Sequence, residues 1–165
     1  MRNKLLFTTP PYDVGFVAGR EDVAFLERSF PAVQLACGSD ITFARLATTR
    51  EGARRFAADI KRLRHLVGWI VPVTYREGRI SASQAEDVAT AELRVIRSTS
   101  PELEFSSLRQ TIALGNPMTW AFRTEVHLLN NSQGNWRRYL EVDRVTGELW
   151  DEGTYAEYRK LSPLE

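Results

Sequence analysis

Apolar and polar residues alternate along residues 119–152, and this pattern predicts β-strands near the carboxyl-terminal end of the chain. The apolar positions of the first run recur with period two: Trp120, Phe122, Val126 and Leu128. Charged or titratable side chains fall between them: Arg123, Glu125 and His127. A period of two places successive side chains on opposite faces of a strand, so one face is expected in the core and the other in water.

A second alternating run follows a polar connection at residues 130–135. Its apolar positions are Trp136, Leu140 and Val142, and its charged positions are Arg137, Glu141 and Asp143. The two runs predict a β-hairpin. The segment Asp143–Gly147 then predicts a tight turn, with Gly147 suited to a positive φ, before a short strand over Glu148–Asp151. We therefore expect a three-stranded antiparallel meander whose charged face is open to solvent.

Helical periodicity predicts four helices along the chain. They cover residues 21–30, residues 48–67, a segment capped by Ser83 that ends before Ser98, and a short segment after Gly153. Extended segments are expected between them, at residues 5–8, 32–37, 41–46, 69–76 and 103–114. Pro72 places the fourth of these at a sheet edge or a bulge, because proline has no N–H to donate.

The order of these elements predicts an α+β fold. We expect an antiparallel sheet with helices packed on one face, and in the second half a helix followed by a three- to four-stranded meander. The chain is expected to divide into an amino-terminal α/β segment, residues 1–79, and an α+β module, residues 80–165. The two parts are expected to share one core.

Composition favours an ordinary globular protein and adds little about chemistry. The chain has 43% hydrophobic and 26% charged residues, and its net charge of +1 exerts no general attraction for nucleic acid. The single cysteine, Cys37, excludes an internal disulfide, and we expect it to be a small buried residue. No segment has the apolar length of a secretory signal or a membrane span. We expect a cytoplasmic protein that does not enter a membrane.

Three motifs of the second half occur in a fixed order. They are the helix-opening run at residues 80–86, the strand holding Trp120 and Phe122, and the run in which Trp136 leads to Asp143, Thr146, Gly147 and Glu148. Together they resemble the PepSY and YrhB-like group of small α+β modules. The resemblance covers residues 80–152 and leaves residues 1–79 without a family.

The resemblance implies a function as well as a fold. PepSY modules occur in peptidase propeptides, where they imply inhibition or assistance with folding. YrhB-like modules include cytoplasmic immunity proteins of bacteria that neutralise toxins. For this chain the resemblance implies an immunity-type protein that inhibits a toxin or a peptidase by binding it.

Candidate catalytic chemistry is weak along the whole chain. Glu125 and His127 lie on one predicted strand face and could exchange protons, but cross-strand ion pairs on a solvated face explain them better. The two histidines and one cysteine have no spacing typical of a metal site, and we expect no cofactor. We therefore expect no enzyme activity.

The charged face of the meander is the candidate site for a protein partner. It comprises Arg123, Glu125, His127, Arg137, Glu141 and Asp143. A second surface is expected on the long basic helix, at Arg54 and Lys61. Charges arranged opposite complementary charges give a binding surface specificity and fast encounter.

Two alternatives stay open. The first is an enzyme or small-ligand binder whose cavity is lined by the four tryptophans: Trp69, Trp120, Trp136 and Trp150. The second is a nucleic-acid-associated factor that uses the helix of Arg54, which the acids Glu51 and Asp59 disfavour because they interleave with the basic residues.

Overall fold

The computed structural model describes residues 6–38, 41–111, 115–129 and 131–161, without the side chains of residues 131–133 and 161. It divides into two compact units. Unit 1 contains the described residues up to Glu77, the segment Gly115–Met118 and the segment from Glu152 onward. Unit 2 contains the described residues between Gly78 and Leu114 and between Thr119 and Asp151.

Unit 1 combines an antiparallel sheet with α-helices. Its elements in chain order are β1 (Tyr12–Phe16), α1 (Arg20–Ser29), β2 (Gln34–Cys37), β3 (Thr42–Thr48), α2 (Arg50–Arg64), β4 (Trp69–Pro72), a 3₁₀ turn (Val73–Arg76) and, after unit 2, the terminal helix Glu152–Leu161. The strand order is β2-β3-β1-β4, with every neighbouring pair antiparallel. Strand β4 lies at the end of this strand order, so the edge position predicted from Pro72 is confirmed.

The core of unit 1 lies between β1 and the two helices that follow it. It includes Val14 and Phe16 of β1, Leu26 of α1, and Phe56 and Ile60 of α2. Helix α2 begins where Thr49 caps it, since the Thr49 side chain accepts a hydrogen bond from the Gly52 N–H at 3.1 Å. Phe56 and Ile60 are four positions apart and therefore face the sheet together.

Strand β1 was not predicted from the sequence. Residues 12–16 are all buried, and β1 lies between β3 and β4 at the centre of the sheet. Asp13 in its middle is 1% exposed. Both Asp13 carboxylate oxygens accept hydrogen bonds from Arg76, at 2.6 and 2.8 Å, and Oδ1 also accepts the N–H groups of Leu46 and Ala47. A buried carboxylate with this many donors is compatible with a central strand.

Unit 2 consists of one helix packed on a second antiparallel sheet. Its elements are α3 (Ala82–Thr99), β5 (Leu103–Phe105), β6 (Arg109–Thr111), β7 (Thr119–Leu128) and β8 (Asn131–Asp143). Strand β7 is central: β5 and β6 pair with one of its edges, and β8 pairs with the other. The helix Glu152–Leu161, which follows these elements in the chain and belongs to unit 1, is α4.

The core of unit 2 confirms the predicted inward face of the meander. Phe122 and Val126 of β7 and Leu140 and Val142 of β8 pack with the buried residues of α3: Ala85, Ala89, Leu93 and Ile96. Helix α3 begins two residues earlier than predicted, because Ser81 rather than Ser83 is the cap. The Ser81 hydroxyl accepts the Gln84 N–H, and the Gln84 side chain accepts the Ser81 N–H.

The α+β class is confirmed, with antiparallel sheets and a helix followed by strands in the second half. Four element predictions were wrong. Leu6–Thr8 are helical rather than extended, residues 103–111 form two short strands rather than one, residues 148–151 form only an isolated bridge from Leu149 to Val142, and residues 73–76 form a 3₁₀ turn rather than continuing the predicted strand 69–76. Ser106–Leu108 interrupt the ladder between β5 and β6, which explains the second difference. The remainder of the predicted strand 103–114, residues 112–114, lies outside the described residues.

The predicted division at residues 79 and 80 lies close to the boundary at Glu77 and Gly78. The structure differs in that two later segments, Gly115–Met118 and α4, belong to unit 1. Each unit has its own hydrophobic cluster. The expectation of one shared core stays a prediction.

Candidate protein-binding surface

The sheet of unit 2 has one face toward α3 and one open face. Strand register assigns the charged residues of β5, β7 and β8 to the open face, since Glu104 pairs with His127 and Glu125 pairs with Arg137. We call the exposed charged group on this face the ionic face. It comprises Glu104, Arg123, Glu125, His127 and Arg137.

Glu125 lies at the centre of the ionic face. Its Oε1 atom is 3.6 Å from the Nε atom of Arg123, two positions earlier on the same strand, and 3.6 Å from the Nε atom of Arg137 on β8. The Glu125 side chain is 47% exposed and that of Arg137 is 59% exposed. The three residues thus form a two-strand row of charges that remains in contact with water.

His127 forms a second pair across the other edge of β7. Its Nε2 atom is 2.7 Å from the Oε2 atom of Glu104 on β5. This pair and the Glu125 group lie two residues apart along β7, so they form one continuous surface. Glu104 was not among the predicted residues, although the alternation of Leu103, Glu104 and Phe105 indicates that it points away from the core.

These ion pairs contribute little to the stability of the fold. Exposed pairs of this kind contribute roughly 0–1 kcal/mol, because water screens the charges and the side chains lose rotational freedom. Both pairs of Glu125 are also longer than a charged hydrogen bond of about 2.8 Å. The charges can therefore be redirected to a partner at small cost.

Glu141 and Asp143 do not belong to the ionic face, which corrects their predicted role in binding. Glu141 is 5% exposed, and Asp143 is fully buried. The Thr119 hydroxyl donates to Glu141 Oε1 at 2.7 Å, and the Trp150 indole N–H donates to Asp143 Oδ2 at 2.8 Å. The chain returns beside β8 at Trp150, whose backbone N–H donates to the Glu141 carbonyl oxygen. The alternation placed Glu141 and Asp143 on the correct face of β8, but the chain segment at Trp150 covers that end of the face.

Asp143 organises the turn that follows β8. Its Oδ1 atom accepts the N–H groups of Val145 and Thr146, at 2.8 and 2.9 Å. Gly147 has φ +71°, as predicted from the turn pattern. Asp143 and Gly147 are therefore structural residues of a turn.

The second predicted surface, on α2, is less open. Arg54 is half-buried, Lys61 is exposed, and each interacts with another group of the protein. Two neighbouring arginines of the same helix pair with acids, Arg55 with Glu51 at 3.8 Å and Arg62 with Asp59 at 3.4 Å. The helix thus presents mixed charge, which does not favour the nucleic-acid alternative.

The four tryptophans have separate environments. In unit 1, Trp69 stacks on Tyr158 with ring centroids 5.4 Å apart. In unit 2, the Trp120 indole N–H donates to the Ile80 carbonyl oxygen, while Trp150 is buried against Asp143. Trp136 was predicted to be buried but is 43% exposed, although its partner across the strand pair, Val126, is buried.

A shallow groove of about 280 Å³ lies in unit 1 between α1 and the strands β2 and β3. Its described lining includes Arg20, Glu27, Cys37 and Thr42 but no histidine that could activate the thiol. Cys37 is exposed, which corrects the expectation of a buried residue. It is the last residue of the edge strand β2, where only one neighbouring strand covers it.

Comparisons of the chain with protein-family models, curated proteins and solved structures found no match. The resemblance of residues 80–152 to PepSY and YrhB-like modules therefore depends on the residue pattern alone. Within the described ranges, no helix has both the length and the apolar composition needed to cross a membrane. The same ranges contain no group of three or more His, Cys, Asp or Glu side chains that could hold a metal ion.

Proposed function

We propose that this protein is a non-catalytic binding protein whose ionic face docks onto another protein. The observation that carries the proposal is the row formed by Arg123, Glu125 and Arg137. Three charges of both signs lie side by side, Arg123 and Glu125 partly exposed and Arg137 exposed, on a sheet face whose opposite side packs against α3. A rigid sheet fixes the spacing of these charges, and fixed complementary charges give specificity and fast association.

The specific form of the proposal is an immunity-type inhibitor of a toxin or a peptidase. Its support is the resemblance of residues 80–152, together with a surface suited to binding rather than turnover. A partner of this kind would be inhibited by occlusion, since the ionic face offers a row of charged side chains for contact. We propose that the protein acts in the cytoplasm, where such a toxin would be neutralised.

The proposal is tested by protection and by association kinetics. Cells that produce the toxin or peptidase encoded beside this protein should survive when the wild-type chain is present. The double variant Glu125→Arg/Arg137→Glu reverses two charges of the ionic face and should lose protection. It should also lower the association rate constant by about tenfold or more, with a weaker dependence on salt.

The matched control is Arg55→Glu on α2, which reverses an exposed charge that pairs at 3.8 Å outside the ionic face. This variant should protect as well as the wild type. The proposal is overturned if both variants protect equally, or if the wild-type chain neither protects nor binds the neighbouring protein.

A further inference from the structure

Strand β8 has an outer edge that is only partly covered. The strand has 13 residues, and β7 bonds to its inner edge. On the outer edge, the Asp143 N–H donates to the Glu148 carbonyl oxygen, and the Glu141 carbonyl oxygen accepts the Trp150 N–H, both at 2.8 Å. The returning chain therefore occupies the outer edge at residues 141 and 143.

The outer edge continues uncovered toward the start of the strand. Because N–H and C=O groups of alternate residues point to the same edge, the groups of Tyr139 and Arg137 point outward like those of Glu141 and Asp143. Within the described residues, no backbone hydrogen bond joins Arg137 or Tyr139 to a strand on that side. Residues 135–138 are all exposed.

We propose that this outer edge, residues 136–140 of β8, binds an extended acidic segment of the partner protein as an added β-strand. The inference rests on the proposed function and names its mode of binding. An added strand receives affinity from main-chain hydrogen bonds and specificity from the side chains on its two faces. The outward groups of Arg137 and Tyr139 supply two donors and two acceptors for such a strand.

The positive charges at the β8 edge favour an acidic segment as the added strand. Arg137 is 59% exposed with only the 3.6 Å contact to Glu125, and exposed Arg138 forms no ion pair within the described residues. The two arginines point to opposite faces of the strand, so acidic side chains on either face of an added strand would meet one of them. Trp136, 43% exposed on the α3 side, offers an apolar contact beside Arg138.

The same charges disfavour a second copy of this chain as the occupant. Antiparallel pairing of two β8 edges centred on residues 136–138 brings the two Arg137 side chains opposite or diagonal to each other. Like charges in these positions destabilise a strand pair. Arginines on an open edge are also a means by which proteins prevent self-pairing.

Amide hydrogen exchange, followed residue by residue by NMR, tests the inference directly. In the free protein, the outward amides of Arg137 and Tyr139 should exchange faster than the amides of Trp136 and Arg138, which bond to β7. The probe is a short synthetic peptide of alternating threonine and glutamate. At about ten times its Kd, the peptide should slow exchange at Arg137 and Tyr139 roughly tenfold by mass action.

The matched control is a peptide of the same length with lysine in place of glutamate, which should have no effect at the same concentration. The inference is overturned if neither peptide slows exchange, or if both do so equally. It is also overturned if the free protein forms dimers in sedimentation experiments and these dimers already protect the two amides. In that case the occupant is a second copy.

A proline substitution tests the role of the β8 edge without changing a charge of the ionic face. Tyr139→Pro removes an outward N–H without removing a hydrogen bond to β7, and Tyr139→Ala removes the same side chain but retains the N–H. The proline variant should lose binding of the glutamate peptide, while the alanine variant should retain it. If both retain it, the edge inference fails; the peptide experiments on the wild-type chain decide the matter should the proline variant not fold.

Failure of the edge inference can be distinguished from failure of the proposed function. If the toxin or peptidase binds and the double variant Glu125→Arg/Arg137→Glu weakens binding, while the amides of Arg137 and Tyr139 stay unprotected, the partner uses the ionic face without adding a strand. If the partner does not bind the wild-type chain, the proposed function itself fails.

Discussion

Carboxylates at equivalent strand positions have opposite roles in this protein. Asp13 and Glu125 each occupy a central strand, but Asp13 is 1% exposed and accepts four hydrogen bonds, whereas Glu125 lies in water with two loose ion pairs. Alternation in the sequence predicted the exposure of Glu125 correctly. It could not predict that Glu141 and Asp143 are buried, since that depends on the return of the chain at Trp150.

The buried carboxylate of Asp13 makes Arg76 a stabilising residue. The hydrogen bonds that Arg76 donates to Asp13 hold the pKa of the Arg76 guanidinium above its usual value, against the opposing effect of burial. Arg76→Ala leaves a buried charge without its counter-ion, so we expect the free energy of unfolding to fall by about 3 kcal/mol. Urea denaturation followed by circular dichroism measures this change.

Arg55→Ala is the matched control for that measurement, because Arg55 also pairs with an acid but is 76% exposed. We expect the control to change the free energy of unfolding by about 0.5 kcal/mol or less. Equal effects of the two substitutions would contradict a structural role for the Asp13–Arg76 pair.

Cys37 yields a prediction about accessibility. Because the thiol is exposed at the end of an edge strand, a thiol reagent such as dithionitrobenzoate should label it in the folded protein without denaturant. The chain has one cysteine, so absorbance should report about one equivalent. Labelling that appears only after urea is added would show that the side chain is covered in solution.

At the scale of elements, periodicity predicted most helices and strands, and each failure has a physical cause. In strand β1, Tyr12, Val14 and Phe16 alternate with Asp13 and Gly15. Because Asp and Gly are typical of loops, this buried strand was not predicted. The turn from Asp143 to Gly147 was predicted well, because its geometry depends on side chains within five residues. The interruption between β5 and β6 was missed, since its Ser106 hydroxyl accepts the N–H of Glu125 on another strand.

Gly147 is expected to be sensitive to substitution. Its φ of +71° disfavours any residue with a Cβ atom, and a Cβ there would lie 3.3 Å from the Ile80 side chain. Gly147→Ala should therefore lower the free energy of unfolding by about 1–2 kcal/mol. Thermal denaturation of both the wild type and the variant gives the comparison.

Gly78→Ala serves as its control, since a Cβ at Gly78 meets its nearest atom at an ordinary 3.5 Å. The two alanine variants differ mainly in backbone conformation. If Gly147→Ala is as stable as Gly78→Ala, the turn does not require the left-handed conformation.

At the scale of the whole molecule, the chain does not divide in sequence order. The fold class followed from the order of elements, but the assignment of α4 to the first unit could not be predicted, because local patterns do not record which distant surface a helix covers. Tyr158 of α4 is 2% exposed. It packs against Phe7 and Trp69, and its hydroxyl donates to the Ile70 carbonyl oxygen. The same reason applies to the candidate site. Glu125 and Glu141 follow the same alternation in the sequence, so both were predicted to be exposed, although only Glu125 is.

Tyr158 should therefore contribute strongly to the stability of the first unit. Tyr158→Ala removes a buried ring and is expected to cost about 3–5 kcal/mol. Tyr158→Phe retains the ring and loses only the hydrogen bond to Ile70, at a cost of about 1 kcal/mol. Calorimetry of the full chain measures both, and a small effect of the alanine variant would show that α4 is not needed by unit 1.

The position of α4 has a consequence for the biosynthesis of the protein. A ribosome releases Tyr12–Pro72, the strands and helices of the first sheet, long before it adds Glu152–Leu161. Phe7 and Trp69 lack the Tyr158 ring during that interval, because Tyr158 can pack against them only after it has left the exit tunnel. The nascent amino-terminal half therefore remains incompletely packed until α4 emerges from the exit tunnel.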